Sequence, residues 1–226
     1  MPFILEKAVP WGRTLREYRR MFALTDTDLT KRIAGFGDGP ASFNAEAHQA
    51  GVSVVSFDPI YRYSKEQIAA RMQETTALVL QQTRQNMDHY IWDEIKDLEQ
   101  LKRLRLSAMH TFLADYERGR EEGRYRCHAL PAALPDPDGY FDLGLCSHFL
   151  FLYTSLGYDF HMAAISEMLR VCREVRIFPL LDLNSRPSDL ARNTIHALEG
   201  SYRVSCVPVP YEFQKGGNQM LRICKP

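Results

Sequence analysis

The stretch "RIAGFGDGPASFNAE", residues 32–46, decides how the rest of the chain is read. Three glycines alternate in it, Gly35, Gly37 and Gly39, behind the short apolar pair Ile33-Ala34. Pro40 sits where a first helical position is expected, since its missing N–H costs nothing there. Phe43, Ala47 and Ala50 then keep an i, i+4, i+7 spacing, and Gly51 closes that helix. The unit is strand, glycine turn, helix, a turn through which backbone approaches a ligand closely. Residues 52–57 form a second strand that ends at Asp58-Pro59.

Upstream, Leu15, Tyr18, Met21 and Phe22 share one face of a short helix over residues 14–22. Downstream, residues 64–123 read as helices only. Ser64 and Gln67 make a capping box. Ile68, Met72 and Val79, then Ile91, Ile95 and Leu98, then Leu106, Met109, Phe112 and Tyr116 keep helical spacing. Strand signals return at residues 124–128. "LPDPDGYFDLGLCSHFLF" places a turn before a fourth strand over 141–146. Asp159 is expected to cap a helix carrying Ile165, Met168, Leu169 and Cys172. A strand over 175–181, a helix over 188–198 ended by Gly200, and a hairpin of 204–209 with 219–224 complete the chain. Strands alternating with helices imply a parallel sheet covered on both faces, with ligands beyond the carboxyl ends of the strands. The closing hairpin adds an antiparallel edge strand.

The 226 residues suit a single domain, with an N-terminal helical segment over 1–30 and a helical cap inserted over 64–123. Lysine plus arginine and aspartate plus glutamate each number 28, and this zero net charge argues against nucleic acid as a partner. The five cysteines are scattered and form no C-x-x-C pair. Neither a zinc cluster nor a disulfide framework is expected, and a reducing cytoplasm is the simplest setting. The opening MPFILEKAVPW is too short and, with Glu6 and Lys7, too charged for a signal peptide. No apolar run approaches the ~20 residues of a membrane span.

G-x-G-x-G after strand one, an acidic residue ending strand two and an antiparallel last strand together resemble the class I S-adenosylmethionine-dependent methyltransferases. "LPDPDGYFDLGLCSHFLFLY" is similar to that superfamily's approach to strand four. "PWGRTLREYRRMFAL" and "GDGPASFNAE" resemble a bacterial branch of it. The resemblance covers residues 31–226. It implies an α/β, Rossmann-like, mostly parallel seven-stranded sheet with an antiparallel last strand, and S-adenosyl-L-methionine as cofactor. It also implies that Gly35, Phe36, Gly37 and Gly39 line the methionine moiety and ribose, and that Asp58 accepts from both ribose hydroxyls. Pro59 and Ile60 would lie near the adenine, with His128 and Ala129 after strand three and Cys146 at the end of strand four. Two positions depart from the pattern. Ile33 stands where an acidic residue usually meets the cofactor's ammonium group, and His128-Ala129-Leu130 stands where another usually meets the adenine amino group.

Competing motifs fail. Pro40 replaces the third glycine of the dinucleotide fingerprint, and no G-K-[ST] of a P-loop is present. "FDPIY", residues 57–61, looks like the box of amino-group methylating enzymes, but it ends strand two rather than strand four. Cys146 follows leucine rather than the proline that cytosine-C5 methylation needs, and a buried small hydrophobe is its plainer role. His148, just after strand four, is a candidate general base or a packed histidine. Tyr153 and Tyr158, with His161, line a substrate pocket or pack at its rim. Arg13, Arg16, Arg19 and Arg20 form a clamp for an acidic substrate group or a solvated helix face. The expected activity is methyl transfer to a small-molecule acceptor, with neither nucleic acid nor membrane as partner. The rival is a non-catalytic cofactor-binding or partner-binding protein on the same fold, and a nicotinamide enzyme ranks third.

Overall fold

All four residues of strand β1, Ile33–Phe36, are buried, as a strand at the centre of a covered parallel sheet requires. The computed structural model describes residues 11–226, so the reading of the opening ten residues lies outside the described residues. β1 runs parallel to β2 (Val54–Phe57) on one side and β4 (Phe141–Ser147) on the other. Beyond β2 lies the short β3 (Tyr125–Arg126), and beyond β4 lies β5 (Cys172–Phe178), both parallel. The last two strands are β6 (Arg203–Pro208) and β7 (Gln219–Cys224), giving the order β3-β2-β1-β4-β5-β7-β6.

β7 is antiparallel to both neighbours. The closing hairpin supplies the antiparallel edge as expected: β7 inserts between β5 and β6, and β6 takes the edge. The reason is in the side chains. Met220, Leu221 and Ile223 of β7 are buried, whereas Arg203, Ser205 and Cys206 of β6 are exposed. The more apolar strand occupies the position covered on both faces.

Alternating strand residues feed two cores. On one face Ala34, Phe36 and Ile177 pack with Ile165, Met168 and Leu169 of α5 (Tyr158–Val171) and Ala191 and Leu198 of α6 (Asp189–Leu198). On the other, Ile33, Leu143 and Leu145 pack with Tyr18 and Met21 of α1 (Leu15–Met21) and Phe43 and Ala47 of α2 (Phe43–Gln49). Thr14 and Glu17 form a capping box at the start of α1.

Several boundaries differ from the sequence expectations. α2 begins at Phe43 after Ser42, so Pro40 stays in the turn and is not a first helical residue. Asp159 does not cap α5. Gly157, at φ +82°, precedes the helix, and Asp159 lies inside its first turn. Cys172 opens β5 rather than closing the helix, because α5 runs straight into the strand and the thiol packs over Gly144.

Between β2 and β3 lie α3 (Lys65–Gln85) and α4 (Leu98–Glu121), and the Ser64–Gln67 capping box is present. Residues 86–97 are not helical apart from one short 3-10 turn, so Ile91 and Ile95 do not continue the helical spacing. Ile91 instead donates its N–H to the carbonyl of Phe213. The two helices share a separate core in which Ile68, Met72, Met109, Phe112 and Tyr116 meet Tyr61 and Tyr125.

One buried ion pair fastens α4 to β3. Arg124 donates to both carboxylate oxygens of Asp115 at 2.6 and 2.9 Å and to Asn44 Oδ1 at 2.8 Å. Both charged residues are 8% exposed. Removing one partner of a buried pair costs about 3–5 kcal/mol, and because Arg124 also pairs with Glu122 at 2.7 Å the lower end of that range applies to loss of Asp115. Asp115→Ala should therefore lower the unfolding free energy by about that lower amount in urea titrations. A change under about 1 kcal/mol, the range of exposed pairs, would show that water already screens the pair.

Candidate active site

The carboxyl ends of β1, β2, β3 and β4 open onto a cavity of ≈ 380 Å³, within the usual range of ligand pockets of roughly 300–1,000 Å³. The glycine turn forms its floor. Gly37 and Gly39 adopt φ of +70° and +54°, which side chains other than glycine rarely tolerate. A Cβ on Gly37 would press Phe149 at 3.1 Å, while one on Gly39 would have nothing nearer than Asp58 Oδ2 at 4.0 Å. Gly39 thus leaves room beside the cavity.

Gly35 has another reason to be glycine. A Cβ there would lie 1.8 Å from Asp38 Oδ2. The chain doubles back so that the Asp38 carboxylate rests on Gly35, where it accepts from Tyr18 Oη at 2.7 Å and Ser56 Oγ at 2.6 Å. Tyr18 is held for this by stacking on Phe43, ring centroids 4.0 Å apart. Asp58 ends β2 and bridges two loops: Oδ2 accepts from Gly39 N at 2.9 Å and Oδ1 from Ile60 N at 2.8 Å. The carbonyl of Gly39 is fixed in turn by Tyr61 Oη at 2.8 Å.

Asp38 and Asp58 both line the cavity, and neither forms an ion pair among the described residues. Burial raises the carboxyl of Asp58 from 3.8 to about 6. Burial also raises Asp38 to about 6, and the charge of Asp58 adds to the effect against the hydrogen bonds from Ser56 and Tyr18. The end of the cavity beside these two carboxylates therefore favours hydroxyl donors or positive charge, while Arg13, Arg62 and Arg71 line other parts of the wall.

Of the residues singled out in the sequence, Gly37, Gly39, Asp58, Pro59, His128, Ala129, His148, Tyr153 and Arg13 line this cavity. Four do not reach its wall. Gly35 lies beneath Asp38, and Phe36 is fully buried, stacked on Phe57 at 5.5 Å. Cys146 is fully buried in the core, its thiol pushed by burial to about 12. Tyr158, on the first turn of α5, is 41% exposed. His161 is a structural histidine, with Nδ1 against Gly157 O at 2.7 Å and Nε2 accepting from Phe151 N at 3.2 Å. Arg16 is exposed, Arg19 pairs with Asp26 and Arg20 with Glu94, which leaves Arg13 as the one member of the arginine group at the cavity. Asp38 carried a visible signal, an acid set between two glycines of the motif. Tyr18 and Ser56 carried none: Tyr18 reaches the cavity wall and Asp38 from α1, and Ser56 enters the site only through Asp38.

His148 stands at the junction with a second cavity of ≈ 110 Å³. Its backbone is left-handed at φ +53°, a conformation costing of order 1–3 kcal/mol in a non-glycine residue and concentrated at functional sites. Its N–H donates to Phe178 O at 2.7 Å, and Nδ1 lies 2.8 Å from Ser147 Oγ. Burial, then the charges of Arg13 and Arg105, hold the imidazole well below its ordinary 6.5, so the ring is neutral at pH 7.

The strand order, the antiparallel β7 and the glycine turn after β1 define a Rossmann-like fold of the class I methyltransferase type. The chain belongs to the family of the uncharacterized protein MJ0045 of Methanocaldococcus jannaschii, to which it is 33% identical over 221 residues, 97% of each chain. That relative is archaeal and gives no support to the bacterial branch suggested by the opening residues. No protein-family model matches the chain. Among solved structures it is similar to Thermoplasma acidophilum 1320, at 10% identity over 88% of this chain and 78% of that one, with a TM-score of 0.41. It is also similar to the magnesium protoporphyrin IX methyltransferase of Synechocystis PCC 6803 with bound SAH, at 11% identity over 93% and 81%, with a TM-score of 0.45.

The raised carboxyls make stability depend on pH. The folded values of about 6 exceed the ordinary 3.8, so between these values the folded chain holds more protons than the unfolded chain. The contribution is fully present below the unfolded value and is lost as pH rises through the folded one. Asp58→Asn has no proton to lose there and should flatten the fall in stability between about pH 4 and 6. Urea midpoints of both proteins across that range check it. Parallel curves would place the Asp58 carboxylate in bulk-like water.

Proposed function

We propose that the protein binds S-adenosylmethionine in the larger cavity and transfers its methyl group to a small-molecule acceptor. The carrying observation is a pair of carboxylates without an ion-pair partner among the described residues, the buried Asp38 and the half-buried Asp58, set into a glycine turn that leaves open space at Gly39. That donor set fits a ligand with ribose hydroxyls at one end and a sulfonium and ammonium group at the other. Asp58 has accepted one backbone N–H on each oxygen, and a carboxylate offers about four lone-pair sites, so capacity for ribose hydroxyls remains. Asp38, inside the turn, supplies the negative charge that Ile33 does not. Pro59, Ile60, His128, Ala129 and Leu130 form the wall for the base.

When bound, the cofactor supplies an electrophilic methyl carbon. The protein's part is to hold the acceptor in line with it, and such positioning removes a large entropic barrier. The tautomer of His148 with hydrogen on Nδ1, directed at Ser147 Oγ, leaves Nε2 free to take a proton from the acceptor. Residues of the helical insertion, Arg71 beside the larger cavity and Val79, Leu101 and Arg105 beside the smaller, support its role as a cap that shapes the acceptor site. A cytoplasmic setting accords with five unpaired cysteines, and among the described residues no helix is long and apolar enough to cross a membrane. The neutral overall charge favours a small acceptor over nucleic acid.

The suppressed basicity of His148 favours a second reading, a protein that binds the cofactor without turning it over. Turnover of S-adenosylmethionine with any acceptor separates the two.

Calorimetry should detect binding of S-adenosylhomocysteine and no comparable binding of NAD. A hydrogen bond to a charged group contributes about 1.5–3 kcal/mol, so Asp58→Ala should weaken the former by roughly ten- to a hundredfold. Asp58→Asn keeps one acceptor oxygen and should lose less. Tighter binding of NAD would defeat the cofactor assignment, and unchanged affinity in Asp58→Ala would remove the carboxylate from the ribose.

A further inference from the structure

The charged side chains lining the smaller cavity are all guanidinium groups, whereas the larger is lined by Asp38 and Asp58 together with Arg13, Arg62 and Arg71. Arg13 and Arg105 line the smaller, with Glu17 as their neighbouring carboxylate. Glu17 is fully engaged by others. It pairs with Arg105 at 2.7 Å and accepts from Thr14 N at 3.0 Å and from Tyr211 Oη at 3.2 Å. Arg105 is 1% exposed and also donates to Gly12 O at 3.2 Å. That leaves Arg13, which lines both cavities, with a bond to Trp11 O at 3.1 Å and with no ion pair among the described residues. Its Nε is buried without a hydrogen-bond partner, as is that of Arg105. A cation withdrawn from water in this way is costly unless an anion meets it.

The walls around this charge are aromatic. Trp11, Tyr90, Tyr211 and Phe213 line the smaller cavity, with Tyr90 stacked on Phe213 at 4.9 Å. A volume of ≈ 110 Å³ is on the order of what one aromatic ring occupies, given that an apolar cavity of about 150 Å³ holds benzene. The slot opens to the larger cavity past His148 and Tyr153, which line both.

We propose that the methyl acceptor is a small aromatic acid, its oxyanion held by the planar fork of Arg13 and its ring seated among Trp11, Tyr90, Tyr211 and Phe213. The guanidinium gives bidentate recognition of a carboxylate or phosphate. The ring is then directed so that its far substituent meets His148 and the larger cavity. The assignment rests on the methyl-transfer reading for the identity of that substituent as acceptor, while the acid site itself stands on Arg13 and the aromatic walls.

The test uses the full chain saturated with S-adenosylhomocysteine and three probes: 4-hydroxybenzoate, its neutral analogue 4-hydroxybenzamide, and phenyl phosphate. Calorimetry should show at least one of the two anions binding about tenfold or more tighter than the amide, as one charge-assisted bond implies. The tighter anion identifies carboxylate or phosphate as the group recognised. Arg13→Gln should abolish the preference for the anion while the melting temperature stays near that of the parent. Arg13→Lys, which keeps the charge without the fork, should retain part of it and serves if the glutamine variant does not fold. Equal binding of anion and amide, no binding of either anion, or a preference that survives Arg13→Gln would each overturn the proposal. Failure of S-adenosylhomocysteine to bind would count against the methyl-transfer reading alone, since the acid preference is measured equally well without it.

Discussion

The carboxylate of Asp38 rests on the bare Cα of Gly35, held there by Tyr18 and Ser56, and the site is arranged around that contact. Any side chain at Gly35 would occupy the space of the carboxylate. The turn must then bend through left-handed backbone at Gly37 and Gly39 to carry Asp38 back over β1. Asp58 completes the arrangement by fixing Gly39 N from the next strand. Three elements that are distant in sequence (α1 through Tyr18, β1 and its turn, and β2 through Ser56 and Asp58) therefore meet on two carboxylates. Their burial without a cation is tolerated because each oxygen bonded in the turn already has a donor, and because a ligand with donors can meet the remainder.

The two cavities differ in their charged walls. The larger is lined by Asp38 and Asp58 with Arg13, Arg62 and Arg71, and the smaller by Arg13 and Arg105, of which Arg105 pairs with Glu17. His148 stands between them, neutral because burial and then the charges of Arg13 and Arg105 oppose a further positive charge. An acidic acceptor neutralising Arg13 would lift one of the influences that lower the imidazole's affinity for a proton. In the proposed reaction, substrate binding and the capacity of His148 to act as a base would thus be linked by ordinary electrostatics. The overall net charge of zero argues against a broad nucleic-acid surface but carries no information on how charge is arranged around the cavities.

The helical insertion joins these cavities to the rest of the fold. Its own core is built on Phe112 and Tyr116, and the Asp115–Arg124 pair ties it to β3. From that anchorage α4 extends Arg105 to the N-terminal segment, where it meets Gly12 and Glu17. One helix thus supports both the sheet edge and the charged wall of the smaller cavity.

The sequence by itself determined the order and kind of most elements. Apolar runs such as those of β1 and β4, the Ser64 capping residue, and the glycine spacing are local signals, set by backbone sterics and side-chain period. It also marked Gly37, Gly39, Asp58 and His148, because turns and strand ends are where such folds bring ligands. Only the tertiary structure decided what depends on distant partners. β7 moved inside the sheet because its apolar face competes better for burial than that of β6. Gly35 proved to serve a carboxylate three residues on, and Phe36 and Cys146 turned into the core, since strand residues alternate and their register fixes which side faces the cavity. Arg13 emerged from four similar arginines because Arg19 and Arg20 found carboxylates, Arg16 found solvent, and Arg13 alone was folded inward beside an acid already taken.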